Sequence, residues 1–190
     1  MAEGEYNRIL KETLKSHGEN HLNVLNCYEN KALIAKKKNQ YETAVLFYKK
    51  SINLANHLSK LEQESLENEQ TNQENEKNSK TEKFLIDALI QMSDVKRKKD
   101  DLDGAERDYL NALLKPNLSE NQKFNVHRGL GLICKKKNLY DDALHHYHLA
   151  LDIKSPQIQL NKYEFDLGIL YTDLGQLFFF LLFFFFFLLT

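Results

Sequence analysis

The sequence predicts an all-α chain built from helix–turn–helix pairs stacked one on the next, and three observations predict it. The first is composition: 190 residues with only seven Gly and two Pro, rich in Lys, Glu, Asn and Leu, suit helices throughout. The second is the pattern of residues 129–156. Leu130, Gly131 and Cys134 share one face of a first helix, Asn138–Leu139–Tyr140 make a corner, and Ala143, Tyr147 and Ala150 stripe a second helix. Spacings of three, four and seven place each set on one face. The third is recurrence. AKKKNQYETAVLFYKKSINL, from Ala35, overlays CKKKNLYDDALHHYHLALDI, from Cys134, without a gap.

Taken in order, residues 1–20 hold a lone helix. Tyr6, Ile9, Leu10, Thr13 and Leu14 line its apolar face, and Gly18 stops it. Residues 21–58 form the first full pair, with Tyr28, Ala32 and Ala35 on one helix and Ala44, Tyr48 and Ser51 on the other. Residues 59–83 are almost devoid of apolar side chains beyond Leu61 and Leu66. Such a stretch buries too little to offset the entropy of ordering it; it can open as a solvated extension of the preceding helix, with a mobile loop expected around Gln70–Ser79. The second pair spans 84–118. Leu89, Met92, Ser93 and Lys96 lead to Arg97–Lys99, the corner is DDLDGA, and Ala105, Tyr109 and Ala112 stripe the second helix before Pro116. The third pair spans 119–156.

A fourth first helix is expected over 157–176, where Leu167, Gly168, Tyr171, Leu174 and Gly175 repeat the pattern. Its second helix fails: the small–aromatic–small stripe falls on Phe180, Phe184 and Phe187. Residues 177–190 are a Phe/Leu tail whose thirteen apolar residues would span ~20 Å as a helix, short of the ~20 residues that cross a bilayer. A poly-T stretch of nucleic acid encodes the same tract. The tail therefore reads as a gene-model artefact ahead of a structural helix, and as a structural helix ahead of a membrane anchor.

Small residues where helix axes approach and aromatic ones between them resemble the tetratricopeptide repeat superfamily, whose period is about 34 residues; Ala105 to Ala143 is 38 residues, and Ala44 to Ala105 is 61, one period plus an insertion about the length of the polar stretch. SHGENHLNVLNC, from Ser16, is loosely similar to the joint of kinesin-light-chain-like repeats. The resemblance implies a right-handed α-solenoid with three full repeats, a half repeat before them and a broken one after. It makes Ala32, Ala44, Tyr48, Ala105, Tyr109, Ala112, Gly131, Ala143, Tyr147, Ala150 and Gly168 the repeat-packing residues. Departures from its pattern are Lys96 at a normally packed place and Ser51 and Ser93 for smaller residues.

The resemblance also implies a protein-interaction scaffold whose first helices line a concave groove. Basic clusters end three successive first helices: Lys36–Lys38, Arg97–Lys99 and Lys135–Lys137. Side by side in stacked repeats they form a positive rim. Lys36, Lys37, Arg97, Lys98, Lys135 and Lys136, with Arg128, are therefore the candidate partner-binding residues, and the partner is a protein or peptide segment that is acidic or phosphorylated. The plainer account is that last-turn cations complement the helix dipole, at ~0.3–1 kcal/mol each. Co-chaperone members of the superfamily clamp a terminal carboxylate with Lys, Asn and Arg. The matching places of the first repeat hold Glu29 and Leu33, which argues against such a clamp.

Other chemistry is not indicated. His145, His146 and His148 crowd one helix and His17 and His21 flank Gly18, but neither set has the ligands of a metal site. Asp101, Asp103, Asp141 and Asp142 sit at corners, where acidic residues favour helix N-termini. There is no phosphate-cradling Gly loop, no GxSxG and no HExxH. The expectations are no enzyme activity, no cofactor or metal, and no small-molecule substrate. A net charge of −1 gives no bias toward nucleic acid, and a membrane partner is expected only if the tail is real. Cys27 and Cys134, 107 residues apart, form no disulfide framework, which fits the cytoplasm. Two alternatives stand beside the scaffold reading: a truncated targeting arm of a larger enzyme- or motor-associated protein, and a tail-anchored adaptor.

Overall fold

The computed structural model describes residues 2–66, 72–154 and 172–179, all in helices and the short turns that join them. The chain divides into two compact units, Met1–Leu118 and Ser119–Thr190. The first holds α1 (Ala2–His17), α2 (Leu22–Lys37), α3 (Tyr41–Leu66), α4 (Asn72–Lys98) and α5 (Leu102–Leu113). Each packs on the next, and α2 also lies against α4. The second unit holds α6 (Glu120–Lys136), α7 (Tyr140–Lys154) and a helical stretch at residues 172–179. Among the described residues no helix is long and apolar enough to cross a membrane.

Three corners share one backbone geometry. Asn39, Asp100 and Asn138 are left-handed, with φ of 58°, 71° and 62°, a conformation Asn and Asp tolerate better than other side chains. The residue after each donates its N–H five residues back: Gln40 to Ala35, Asp101 to Lys96 and Leu139 to Cys134, at 2.9, 3.0 and 2.9 Å. The carbonyl of that same residue then accepts the N–H of Ala44, Ala105 or Ala143, each at 3.0 Å. One residue thus closes a first helix and opens the second. Tyr41 and Tyr140 donate their hydroxyls to Asn39 and Asn138, both at 2.9 Å.

The stripes meet inside. Ala44, Tyr48 and Ser51, Ala105, Tyr109 and Ala112, and Ala143, Tyr147 and Ala150 are all 0–2% exposed. Ala32 and Met92 join Ala44 and Tyr48 in one cluster of the first unit. In the second unit Phe124, Cys134, Tyr147, Leu174 and Leu177 form the core. Gly131 is where α6 meets the Tyr147 ring: a β-carbon there would stand 2.5 Å from Cε1.

Elsewhere the ends of elements are set by capping. Gly18, at φ 76°, ends α1 by donating to the Leu14 carbonyl at 3.1 Å. Asp101 caps α5 by accepting from the Gly104 N–H at 3.0 Å, and Asp103, Asp141 and Asp142 lie in first turns. Ser119 and Gln122 form a reciprocal capping box at the start of α6.

The polar stretch after residue 58 opens as an extension of the preceding helix, but the expected loop differs. Helix α3 continues to Leu66 and α4 begins at Asn72, so the expected loop over Gln70–Ser79 is helix from Asn72 onward. Glu, Gln and Lys are good helix formers, and the two extensions grow from helices that are already packed. Thr81, fully buried, links them by donating to Glu62 at 3.2 Å. Lys96, anomalous in sequence, pairs with Asp108 of α5 at 2.5 Å. Leu174 is buried and Leu177 fully so. Gly168 and Tyr171, and Phe180, Phe184 and Phe187 of the tail, lie outside the described residues.

Candidate functional site

The basic clusters do not behave as three equal cations. The first position of each, Lys36, Arg97 or Lys135, is half-buried, and the second, Lys37, Lys98 or Lys136, is exposed. A last helical turn rotates successive residues by about 100°, so neighbours in sequence cannot share one face. At the third position, Lys38 and Lys137 cap their helices, and Lys99 pairs with Glu42 at 2.9 Å.

The first-position residues point into the protein. Lys36 reaches from α2 to α4, donating to Gln91 at 2.8 Å and to Asp94 Oδ2 at 3.3 Å. Arg97 donates to Asp94 Oδ1 at 3.1 Å. Tyr109 of α5 donates its buried hydroxyl to the same oxygen at 2.7 Å. One carboxylate therefore gathers two cations and a phenol from three helices. Burial works against the charge of Asp94, but Lys36 and Arg97 outweigh it and hold its carboxyl below the ordinary value. Burial prevails at Lys36, whose ammonium is drawn below its ordinary value despite Asp94. Burial, with Asp94 beside it, raises the Tyr109 phenol.

The second unit repeats the theme. Lys135 donates to Gln176 at 3.1 Å. Arg128, the remaining partner-binding candidate, donates from Nε to Asp173 Oδ2 at 2.7 Å, tying α6 to residues 172–179. Lys36, Arg97, Lys135 and Arg128 are thus held by the protein's own polar groups. Lys37 and Lys98, and in the second unit Lys136, are the exposed members of the set.

Beside the α2–α4 contact lies a feature of opposite sign. Oε1 of Glu29 is buried without a hydrogen-bond partner among the described residues. Burial, reinforced by Asp87 of α4, pushes its carboxyl up to about 8, and Glu29 in turn helps burial raise the Tyr48 phenol. Between about pH 5 and 8 the folded chain keeps a proton on Glu29 that the unfolded chain has lost. Stability contributed by this site therefore falls as pH rises through that window. Glu29→Gln is expected to flatten the fall and to raise unfolding stability at pH 8 by about 2–3 kcal/mol, with little change at pH 5. Urea unfolding of both proteins across the window checks it.

Asp94, Gln91 and Asp173 are the site residues that sequence reasoning missed. Asp94 does leave one signal: an acidic residue three places before Arg97, within reach on the same helix face. Leu33, four residues from Glu29 on one side and Lys37 on the other, is 39% exposed on α2. No protein-family model matches the chain, and no curated protein matches it in sequence.

Proposed function

We propose that the chain is a tetratricopeptide-type α-solenoid that binds an acidic or phosphorylated segment of a partner protein and carries out no catalysis. The observation that carries the reading is the contact between α2 and α4, the first helices of two pairs whose corners share one backbone geometry. First helices side by side are what a stacked array requires, and their outward residues make a continuous face. On that face Leu33 offers an apolar contact, and Lys37 and Lys98 offer exposed ammonium groups that attract carboxylate or phosphate as point charges. Cys27 and Cys134, both buried and neither in a disulfide, suit a cytoplasmic setting.

The test is a titration of the full chain with a labelled Glu-rich peptide and its phosphoserine counterpart, at low and high salt. Lys37→Glu/Lys98→Glu should weaken binding by about tenfold or more and remove most of its salt dependence. An affinity and a salt slope that survive the double substitution would sink the reading. Lys36 and Arg97 are unsuitable for this purpose, because their replacement disturbs the Asp94 network.

A further inference from the structure

The α6–α7 pair carries a constellation that its sequence spacing conceals. His127 of α6 and His146 of α7 are nineteen residues apart, yet their Nδ1 atoms face each other at 3.4 Å. The ring centroids are 5.6 Å apart, about two ring radii beyond the nitrogen separation, so both nitrogens lie on the near edges of their rings. The spacing is long for a hydrogen bond from an N–H donor, which runs ~2.7–3.2 Å. It equals the edge of a tetrahedral zinc site, where two nitrogens each ~2.0–2.1 Å from one metal stand ~3.3–3.4 Å apart.

We propose that His127 and His146 form a two-histidine site for a divalent transition metal, bridging α6 and α7. Imidazole nitrogens select zinc, copper or nickel over magnesium and calcium, which prefer oxygen. Among the described residues no group of three or more His, Cys, Asp or Glu converges on one point, so the protein supplies two ligands and water completes the sphere. Both rings are half-buried, which leaves the open positions toward solvent. The metal acts as a cross-link between two helices otherwise joined by side-chain packing and one corner. His145, whose ring lies 5.7 Å from that of His146, is exposed and flanks the site.

The test uses the full chain, with Zn2+ as the stabilising probe and Co2+ as the spectroscopic one. Saturable zinc binding should raise Tm by roughly 5–10 °C at a hundredfold excess over Kd, with no response to Mg2+. Bound Co2+ should develop visible absorption bands. His127→Gln and His146→Gln should each abolish both responses, while His145→Gln/His148→Gln should keep them. Retention of the zinc response in His127→Gln would overturn the proposal and assign the metal to the exposed pair on α7. Absence of a saturable zinc shift and of cobalt bands in the unmodified chain would overturn it without recourse to any variant.

Discussion

Asp94→Ala is expected to destabilise the first unit by about 2–4 kcal/mol, read as a lower urea midpoint. The side chain accepts from Lys36, Arg97 and Tyr109. Its removal leaves two cations and a buried hydroxyl facing a gap, and an uncompensated charge costs far more than the pair contributed. The lysine side of the network should respond differently. Because burial already disfavours the Lys36 ammonium, Lys36→Met keeps the aliphatic packing and removes a desolvated charge. The expected change is under about 1 kcal/mol, of either sign. Equal losses from Asp94→Ala and Lys36→Met would show that the carboxylate is not the hub of the network. Asp94 also predicts acid sensitivity. Its depressed carboxyl stabilises the fold above the unfolded value of 3.8, and that contribution disappears as pH falls through the folded one.

Tyr147→Ala should cost the second unit about 3–5 kcal/mol, the range for deleting a buried aromatic ring. Tyr147 is 0% exposed and sits in a core with Phe124, Cys134, Leu174 and Leu177, so neighbours cannot collapse cheaply into the void. Its counterpart tests the same contact from the other side. Gly131→Ala places a methyl 2.5 Å from the ring and should cost about 1–3 kcal/mol by overpacking. The two effects are coupled. In Gly131→Ala/Tyr147→Leu the smaller side chain makes room for the methyl, so the double variant should be more stable than additivity predicts by about 1 kcal/mol. Strict additivity in denaturant unfolding would mean that the contact does not limit the approach of α6 to α7.

How far the sequence revealed this depends on the range of the interactions involved. The packing stripes were legible because helical periodicity is local: Ala44, Tyr48 and Ser51 declare their shared face within seven residues, and all are buried. The corners were legible as positions but not as conformations, since the left-handed backbone of Asp100 is hidden in a run of polar residues that would suit any turn. The polar start of α4 was misread as loop because apolar content is a poor guide where helix propensity and an existing nucleus suffice. Least legible was the fate of the basic clusters. Three consecutive cations look alike in one dimension. Only the approach of α2 to α4 decides that Lys36 turns inward to Asp94 while Lys37 faces water. The same limit hid His127 from His146, which meet only after two helices have folded together.

Asp94 also bears on how the first unit opens. Its ligands come from α2, α4 and α5, so neither helix pair can swing away without stripping the same carboxylate. Coupling of this kind merges helix pairs that would otherwise open one at a time. Amide protons of α2 and α5 should then exchange with solvent at a common slow rate, as one cooperative block, and should separate into two rates once Asp94 is removed.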